Sequence, residues 1–251
     1  HDYLNKGFVI YDVKEKEDLN WIKNSYVKII KKILPKIKTT DPDQILNNIH
    51  KFISPSKLND FRLEVINQIH KKQGFKKKFY EISKNLLHSI VGNELVMQLR
   101  VSLSIQLPKD ESSLLPVHAD TWTGVSPYES VIWMPLVDCF KSKSMFILPA
   151  SKSKKLKKIF SDKKINKSDD IYNSIKKDLV WLDVKFGQIV IFDHSLPHGN
   201  IVNKELETRW SMNCRFKSIF TPYKDKRLGE YYEPITLKPA SRRGMEYKFP
   251  K

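Results

Sequence analysis

Leu114-Leu-Pro-Val-His118-Ala-Asp120 is the stretch on which the reading of this chain turns. His118 and Asp120 stand two apart, so on an extended strand their side chains leave one face. Far along the chain, Phe192-Asp-His194-Ser-Leu-Pro-His198-Gly-Asn200 offers a further histidine, which only the fold can bring near. Two histidines and a carboxylate gathered on one side of an octahedral ion make three metal ligands and leave other positions open. A His-x-Asp pair alone is equally well explained by two polar surface residues. The distal histidine and the arginine strand behind it raise the pair to a metal site.

The distal histidine follows a turn glycine and a buried strand, Phe186-Gly-Gln-Ile-Val-Ile-Phe-Asp193. His194 competes with His198 as third ligand. His198 is preferred because Gly199 follows it and Ile201-Val-Asn203 reads as a resumed strand. Eleven residues after His198 comes Thr208-Arg209-Trp-Ser211-Met-Asn213-Cys-Arg215. Its alternation places Arg209, Ser211, Asn213 and Arg215 on one face, and Trp210, Met212, Cys214 and Phe216 on the other. Arginines on a strand whose reverse is apolar are costly to bury unless an anion meets them. Arginine also recognises a carboxylate in a planar, bidentate way that lysine does not. The bland alternative is a surface strand with exposed arginines.

Outward from these motifs, the flanks differ in character. Gly7-Phe-Val-Ile-Tyr-Asp-Val13 predicts a short strand. Helical spacing of apolar residues follows over Glu17 to about Ile37, then from Asp41-Pro42 to Phe52, around Leu58–Ile69, and over Phe79–Ile90 up to Gly92. Asp41 is the expected N-cap, with Pro42 at the first helical position. His50, His70 and His88 on these helices read as ordinary packing or surface residues. From Leu95 the period changes to two, and one strand is predicted over Leu95–Leu107. Further strands are expected at Ser130–Leu136, Ser144–Leu148, Val180–Val184, Gln188–Asp193 and Thr208–Ile219. Short strands with turns between them predict a β-sandwich or small barrel. The expected organisation is one domain over 1–251: a mostly helical N-terminal segment over 1–94, a β core over 95–220 with a lysine-rich, weakly helical insert over 151–179, and a loop-like tail over 221–251.

The bulk numbers bound the function class. The chain has 251 residues, 40% hydrophobic and 11% aromatic, which suits one sizeable domain. No apolar run approaches the length of a membrane span. The opening residues read as neither a signal nor a transit peptide, and a start at His1 suggests trimming or a tag remnant. Cys139 and Cys214 lack CxxC spacing, which predicts buried free thiols in a reducing cytoplasm. The formal net charge is +17, with seven arginines among 45 basic residues. Lysines scattered over helix faces are by default a solvated surface. They are also compatible with an anionic partner.

His118-Ala-Asp120, His198 and Arg209-Trp-Ser211 resemble the Fe(II)- and 2-oxoglutarate-dependent dioxygenases, near the phytanoyl-CoA dioxygenase-like group. Gln106-Leu-Pro, Ser126-Pro-Tyr128-Glu129, Trp133-Met-Pro-Leu-Val-Asp138 and Thr208-Arg209-Trp-Ser-Met-Asn-Cys-Arg215-Phe216 are similar to oxygenases of carbohydrate and aminoglycoside gene clusters. The resemblance covers roughly residues 95–235. It implies a mainly β fold with α: a double-stranded β-helix (a cupin-like jelly roll), with the N-terminal amphipathic helices packed outside. It implies Fe(II) on His118, Asp120 and His198, and 2-oxoglutarate held by Arg209 with Ser211. Arg215 on the same face is then a further contact for cosubstrate or substrate, with Trp133 and Gln106 as secondary wall residues. O2 would take a remaining iron position, and succinate and CO2 would leave. The carboxylate at Asp120 favours hydroxylation, desaturation or epimerisation over halogenation. Trp122, Ser126, Tyr128 and Glu129 are expected at the rim toward a small polar substrate, a sugar, nucleotide-sugar or aminoglycoside-type metabolite.

Two other classes stay open on the sequence. Arg209-x-Ser211-x-Asn213-x-Arg215 partly resembles the strand of nucleic-acid demethylases in the same superfamily, and the charge suits them; the spacing after His198 is short for that reading, and no base-stacking loop is evident. A cupin-like metal protein, or a zinc enzyme on the same three ligands, is the other.

Overall fold

The computed structural model describes residues 2–161 and 167–250. Its N-terminal region holds α1 (Asp2–Lys6), β1 (Phe8–Asp12), α2 (Lys16–Ile33), α3 (Pro42–Asn47), α4 (Pro55–His70) and α5 (Phe75–Ile90). Strands β2 (Leu95–Gln98), β3 (Ser102–Gln106), β4 (Ser130–Pro135) and β5 (Phe146–Ile147) follow. Then come α6 (Leu156–Ser161), α7 (Ser168–Ile175), β6 (Val180–Trp181), β7 (Gln188–Asp193), β8 (His198–Gly199), β9 (Arg209–Ser218), β10 (Tyr232–Thr236) and α8 (Pro239–Glu246).

The helices start and stop for local reasons. Asp41 caps α3 by accepting from the backbone N–H groups of Asp43 (2.9 Å) and Gln44 (3.3 Å), with Pro42 at the first helical position. The predicted helix to Phe52 instead breaks at Asn48 and continues as a 3-10 turn over Ile49–Lys51. The helix expected to reach Ile37 ends at Ile33, before Pro35, which cannot donate into a continuing helix.

Antiparallel pairing builds a seven-stranded sheet in the order β1-β7-β4-β9-β2-β10, with β3 also on β9. The single strand predicted over Leu95–Leu107 is two strands on the same edge of β9. Met97 faces Phe216, and Ser102 faces Asn213. Residues 98–101 therefore oppose only residues 214–215. An excess of two keeps the alternation in phase, so the apolar face stays apolar across the bulge. The tail predicted as loop is also more regular: β10 extends the sheet beside β2, and α8 follows. The 151–179 insert carries a 3-10 turn, α6 and α7, while 162–166 lie outside the described residues.

The helices cover the apolar face of the large sheet. Trp210 donates from its indole nitrogen to the Leu46 carbonyl (2.9 Å) and meets Phe61 edge-on. Phe216 stacks on Phe79 with ring centroids 6.4 Å apart. Trp210, Met212, Cys214 and Phe216 are fully buried, so the N-terminal helices and β9 share one core. Each large aromatic there is worth about 3–5 kcal/mol against truncation to Ala. Both cysteines are buried and free, as the sequence predicts.

A second, three-stranded sheet runs β6-β5-β8. Its strands are shorter than predicted, and residues after Gly199 leave the sheet. An isolated bridge continues it by joining His118 to His198.

Candidate metal centre and anion pocket

The His118–His198 bridge explains how remote segments meet. The two residues exchange both backbone bonds, His118 N–H to the His198 carbonyl (3.0 Å) and the reverse (2.8 Å). Residues paired in this way stand directly opposite and point side chains to one face. The imidazole centroids lie 4.3 Å apart. The approach demands a glycine next door: a Cβ on Gly199 would stand 2.7 Å from the Leu115 carbonyl oxygen. Asp120 is fixed by its own N–H donating to the His194 carbonyl (3.0 Å). His118, Asp120 and His198 then offer donor atoms all within 4.8 Å of one another.

Each of these groups is turned for ligation by a neighbour. The Nδ1 of His118 bonds the Pro116 carbonyl (2.9 Å), and the Nδ1 of His198 bonds the Leu196 carbonyl (2.8 Å). A carbonyl can only accept, so each Nδ1 carries a proton, and Nε2 is the ring atom left to face an ion. Burial, followed by the proximity of His118, pulls His198 down to about 4, so it is neutral at neutral pH. Burial pushes Asp120 upward, but the His194 hydrogen bond and the Arg215 charge outweigh it and hold the carboxyl well below the usual range. Its Oδ2 takes Arg215 Nη2 (2.5 Å) and Nε (3.0 Å), and faces His194 Nδ1 (3.3 Å). That leaves Oδ1 for an ion. Two imidazoles turned by their Nδ1 bonds and one ionised carboxylate are a donor set that fits a divalent metal.

Arg209 is in the opposite situation. The residue is 4% exposed, and both of its bonds go to neutral acceptors, the Ser144 carbonyl and the Ser104 hydroxyl, each at 3.0 Å. No acidic side chain pairs with it among the described residues. Burial pulls it down to about 10, and it remains cationic at neutral pH. Its Nε and the hydroxyls of Ser211 and Ser144 are buried without partners. A buried, unpaired cation costs several kcal/mol. The observed set of donors fits a carboxylate entering the same cavity.

That cavity, about 120 Å³, holds His118, Asp120, His198, Arg209, Ser211 and Arg215, with Trp133, Val131, Met145 and Phe192 among its apolar walls. Both sheets therefore line one space. Gln106 sits opposite Arg209 in the β3–β9 register but is not in the lining; its amide donates to the Ile201 carbonyl (2.6 Å). The structure places the other expected residues as follows. Arg215, expected to reach cosubstrate or substrate, lines the cavity and is ion-paired there with Asp120, its nearest counter-charge. Of the expected rim, Ser126 and Glu129 are 1% and 2% exposed: Ser126 donates to the Pro222 carbonyl, and Glu129 lies 3.8 Å from both His194 and Lys226. Trp122 and Tyr128 are exposed, and neither is in the cavity lining. His194 lies outside the His118, Asp120 and His198 cluster; it is fully buried, and its Nε2 bonds the Ser126 carbonyl (2.8 Å). Asn200, unforeseen from the sequence, accepts from Leu115 N–H (2.7 Å) and holds the segment before His118 in place. Two residues after a histidine, it carries no pattern of its own.

The fold is that of solved non-heme oxygenases. No protein-family model and no curated protein matches the chain. Among similar structures, the non-heme monooxygenase ThoJ in complex with nickel has a TM-score of 0.61 at 12% identity, over 96% of this chain and 84% of ThoJ. EctD from S. alaskensis, solved with 2-oxoglutarate and 5-hydroxyectoine, has a TM-score of 0.57 at 12% identity, over 89% of this chain and 76% of EctD. HygX from Streptomyces hygroscopicus, with nickel and 2-oxoglutarate bound, has a TM-score of 0.52 at 12% identity, over 90% of this chain and 87% of HygX. Among the described residues no helix is long and apolar enough to cross a membrane.

Proposed function

We propose that the chain is an Fe(II)- and 2-oxoglutarate-dependent oxygenase of the double-stranded β-helix type, acting on a small polar substrate of the sugar, nucleotide-sugar or aminoglycoside kind. One observation carries the reading: a His-Asp-His donor set and a buried guanidinium, without a counter-ion among the described residues, line the same cavity. A zinc or cupin-like site needs the three ligands but gives no account of Arg209.

When bound, Fe(II) with 2-oxoglutarate and O2 supplies an oxidant for a substrate C–H bond, while the 2-oxo acid loses CO2 and becomes succinate. The protein's own contribution is binding, orientation and dryness. His118, Asp120 and His198 hold the metal. Arg215 and His194 fix the Asp120 carboxylate, so that Oδ1 alone points inward. Arg209 binds the distal carboxylate of 2-oxoglutarate, with the Ser211 hydroxyl, which lines the same cavity, free to donate to it. Val131, Met145 and Phe192 exclude water from between these charges, which strengthens each of them.

Anaerobic titration with Fe(II) and 2-oxoglutarate, followed by succinate measurement in air, tests the reading. Iron-dependent 2-oxoglutarate binding and succinate release are expected. Tight zinc binding with no affinity for 2-oxoglutarate overturns it in favour of the non-oxygenase class. Salt-dependent binding of DNA or RNA that stimulates succinate release moves the substrate to nucleic acid.

A further inference from the structure

The central cavity is small for what it has to hold. About 120 Å³ lies well below the roughly 300–1,000 Å³ of ordinary ligand pockets. A second cavity of about 340 Å³ adjoins it and shares Ser104, Ser113, Leu115 and Asn213 with its lining. Leu115, three residues before His118, is 52% exposed at this seam. The wall is pinned at both backbone groups: Leu115 N–H donates to the Asn200 side chain (2.7 Å), and the Leu115 carbonyl accepts from Asn200 N–H (3.0 Å). A ligand packed on Leu115 is therefore held in register with the metal-binding histidines.

The rest of this vestibule lies between α4 and the loop before His118. It is rich in hydroxyl and amide groups, Asn59, Ser102 and Ser112 among them, and it contains one cation, Arg62. Arg62 is half-buried. Its two bonds go to neutral acceptors, the Asn59 side chain (2.7 Å) and the Leu103 carbonyl (3.5 Å). No acidic side chain pairs with it among the described residues. A guanidinium has five donors, so most of its fork is open to the vestibule. The Ser112 hydroxyl is spent on Asp110 (2.6 Å) and the Asn59 oxygen on Arg62, which leaves the Ser102 and Ser113 hydroxyls and the Asn213 amide to match a polyhydroxylated ligand, and the open fork to match an oxyanion.

The geometry points to this vestibule as the substrate-recognition subsite, taking a sugar-like polyol that carries an oxyanion, with Arg62 reading the anion while the reactive carbon lies past Leu115 toward His118. The inference rests on the oxygenase reading for what happens at the metal, but binding at Arg62 is measured separately.

The test uses the full chain with Fe(II) under argon, and 2-oxoglutarate at saturation so that Arg209 is taken. Glucose 6-phosphate, glucuronate and neutral glucose are the probes, followed by ligand-observed NMR. At least one anionic probe should bind at least about 10-fold more tightly than glucose, and which one binds distinguishes phosphate from carboxylate. Arg62→Gln, which keeps a donor for the Leu103 carbonyl, should weaken that binding by about 10- to 100-fold. Arg62→Lys should recover some of the loss. Arg242→Ala, an exposed cation outside both cavities, should bind as wild type does. Thermal melts establish that each variant is folded. The inference is overturned if neither anionic probe binds the wild type, or if Arg62→Gln binds as well as the wild type. Absence of 2-oxoglutarate binding and succinate release in the wild type overturns the oxygenase reading instead, and leaves the Arg62 comparison to be read on its own.

Discussion

Arg209 and Arg215 lie on the same strand and the same face, six residues apart, yet they are in opposite electrostatic states. Arg215 is paired: Asp120 takes two of its donors, and Gln98 and Tyr231 lie near its Nη1. Burial alone would lower its pKa, but the adjacent carboxylate raises it above the ordinary arginine value. Arg209 has no acidic partner among the described residues, and burial lowers it. One strand thus carries a guanidinium paired with a carboxylate of the candidate metal site and another with no acidic partner among the described residues. Identical residue types at equivalent pleat positions diverge because of what the neighbouring segments place opposite them.

The sharpest way to break this comparison is to remove the shared metal site. Asp120→Ala or His198→Ala should abolish bound Fe(II) and succinate formation, with metal analysis and circular dichroism separating loss of the ion from loss of fold. Retained iron in either variant would remove the ligand assignment. Next in size, Arg209→Ala should weaken 2-oxoglutarate binding about 100-fold while leaving metal content intact. Saturating 2-oxoglutarate at 100 times its Kd should stabilise the wild type by about 2.7 kcal/mol, and a melt of Arg209→Ala at the same concentration should show little of this. Arg215→Ala should act the other way, with metal affinity down by about 10- to 100-fold as Asp120 loses its support. If both variants lose the same ligand to the same degree, the distinction between the two arginines fails.

The smallest expected effect comes from the buried thiols, Cys214 on the reverse face of β9 and Cys139 in the bridge to Val184 after β4. Burial pushes the Cys139 and Cys214 thiols up to about 12 from an ordinary value of 9.0. Between those values the folded chain keeps protons that the unfolded chain has lost. The thiols' contribution to stability is thus fully present below pH 9 and declines as pH rises toward 12. Melting temperatures taken from about pH 8 to about pH 10.5 should fall, Cys214→Ala should flatten some of that slope, and a thiol reagent should leave both cysteines unmodified at about pH 8 in the folded state. Rapid labelling of Cys214 would mean that this face of β9 is not closed by the helices.

The alternation of β9 was legible because a period of two needs no partner to be read: one face polar with arginines, the other apolar. The His118, Asp120 and His198 set was legible as chemistry, and Asp41-Pro42 as a helix start, because caps are local. Strand lengths in the small sheet were overestimated, since hydrophobic runs such as 144–148 and 180–184 do not reveal where pairing stops. The bulge at residues 98–101 was invisible for the same reason: it arises from the register of two strands sharing one edge of β9.

What the sequence determined by itself is therefore the inventory and the faces: three candidate metal ligands, a strand carrying two arginines inward, and amphipathic helices to cover its back. Tertiary structure decided the assignments. It paired His118 with His198 through a backbone bridge and set His194 behind Asp120 rather than beside it. It gave Arg215 a carboxylate and left Arg209 and Arg62 without one. Side-chain type fixes which interactions a residue is capable of. Whether a buried charge is satisfied depends on which distant segment lies within about 3 Å of it, and that is a property of the fold.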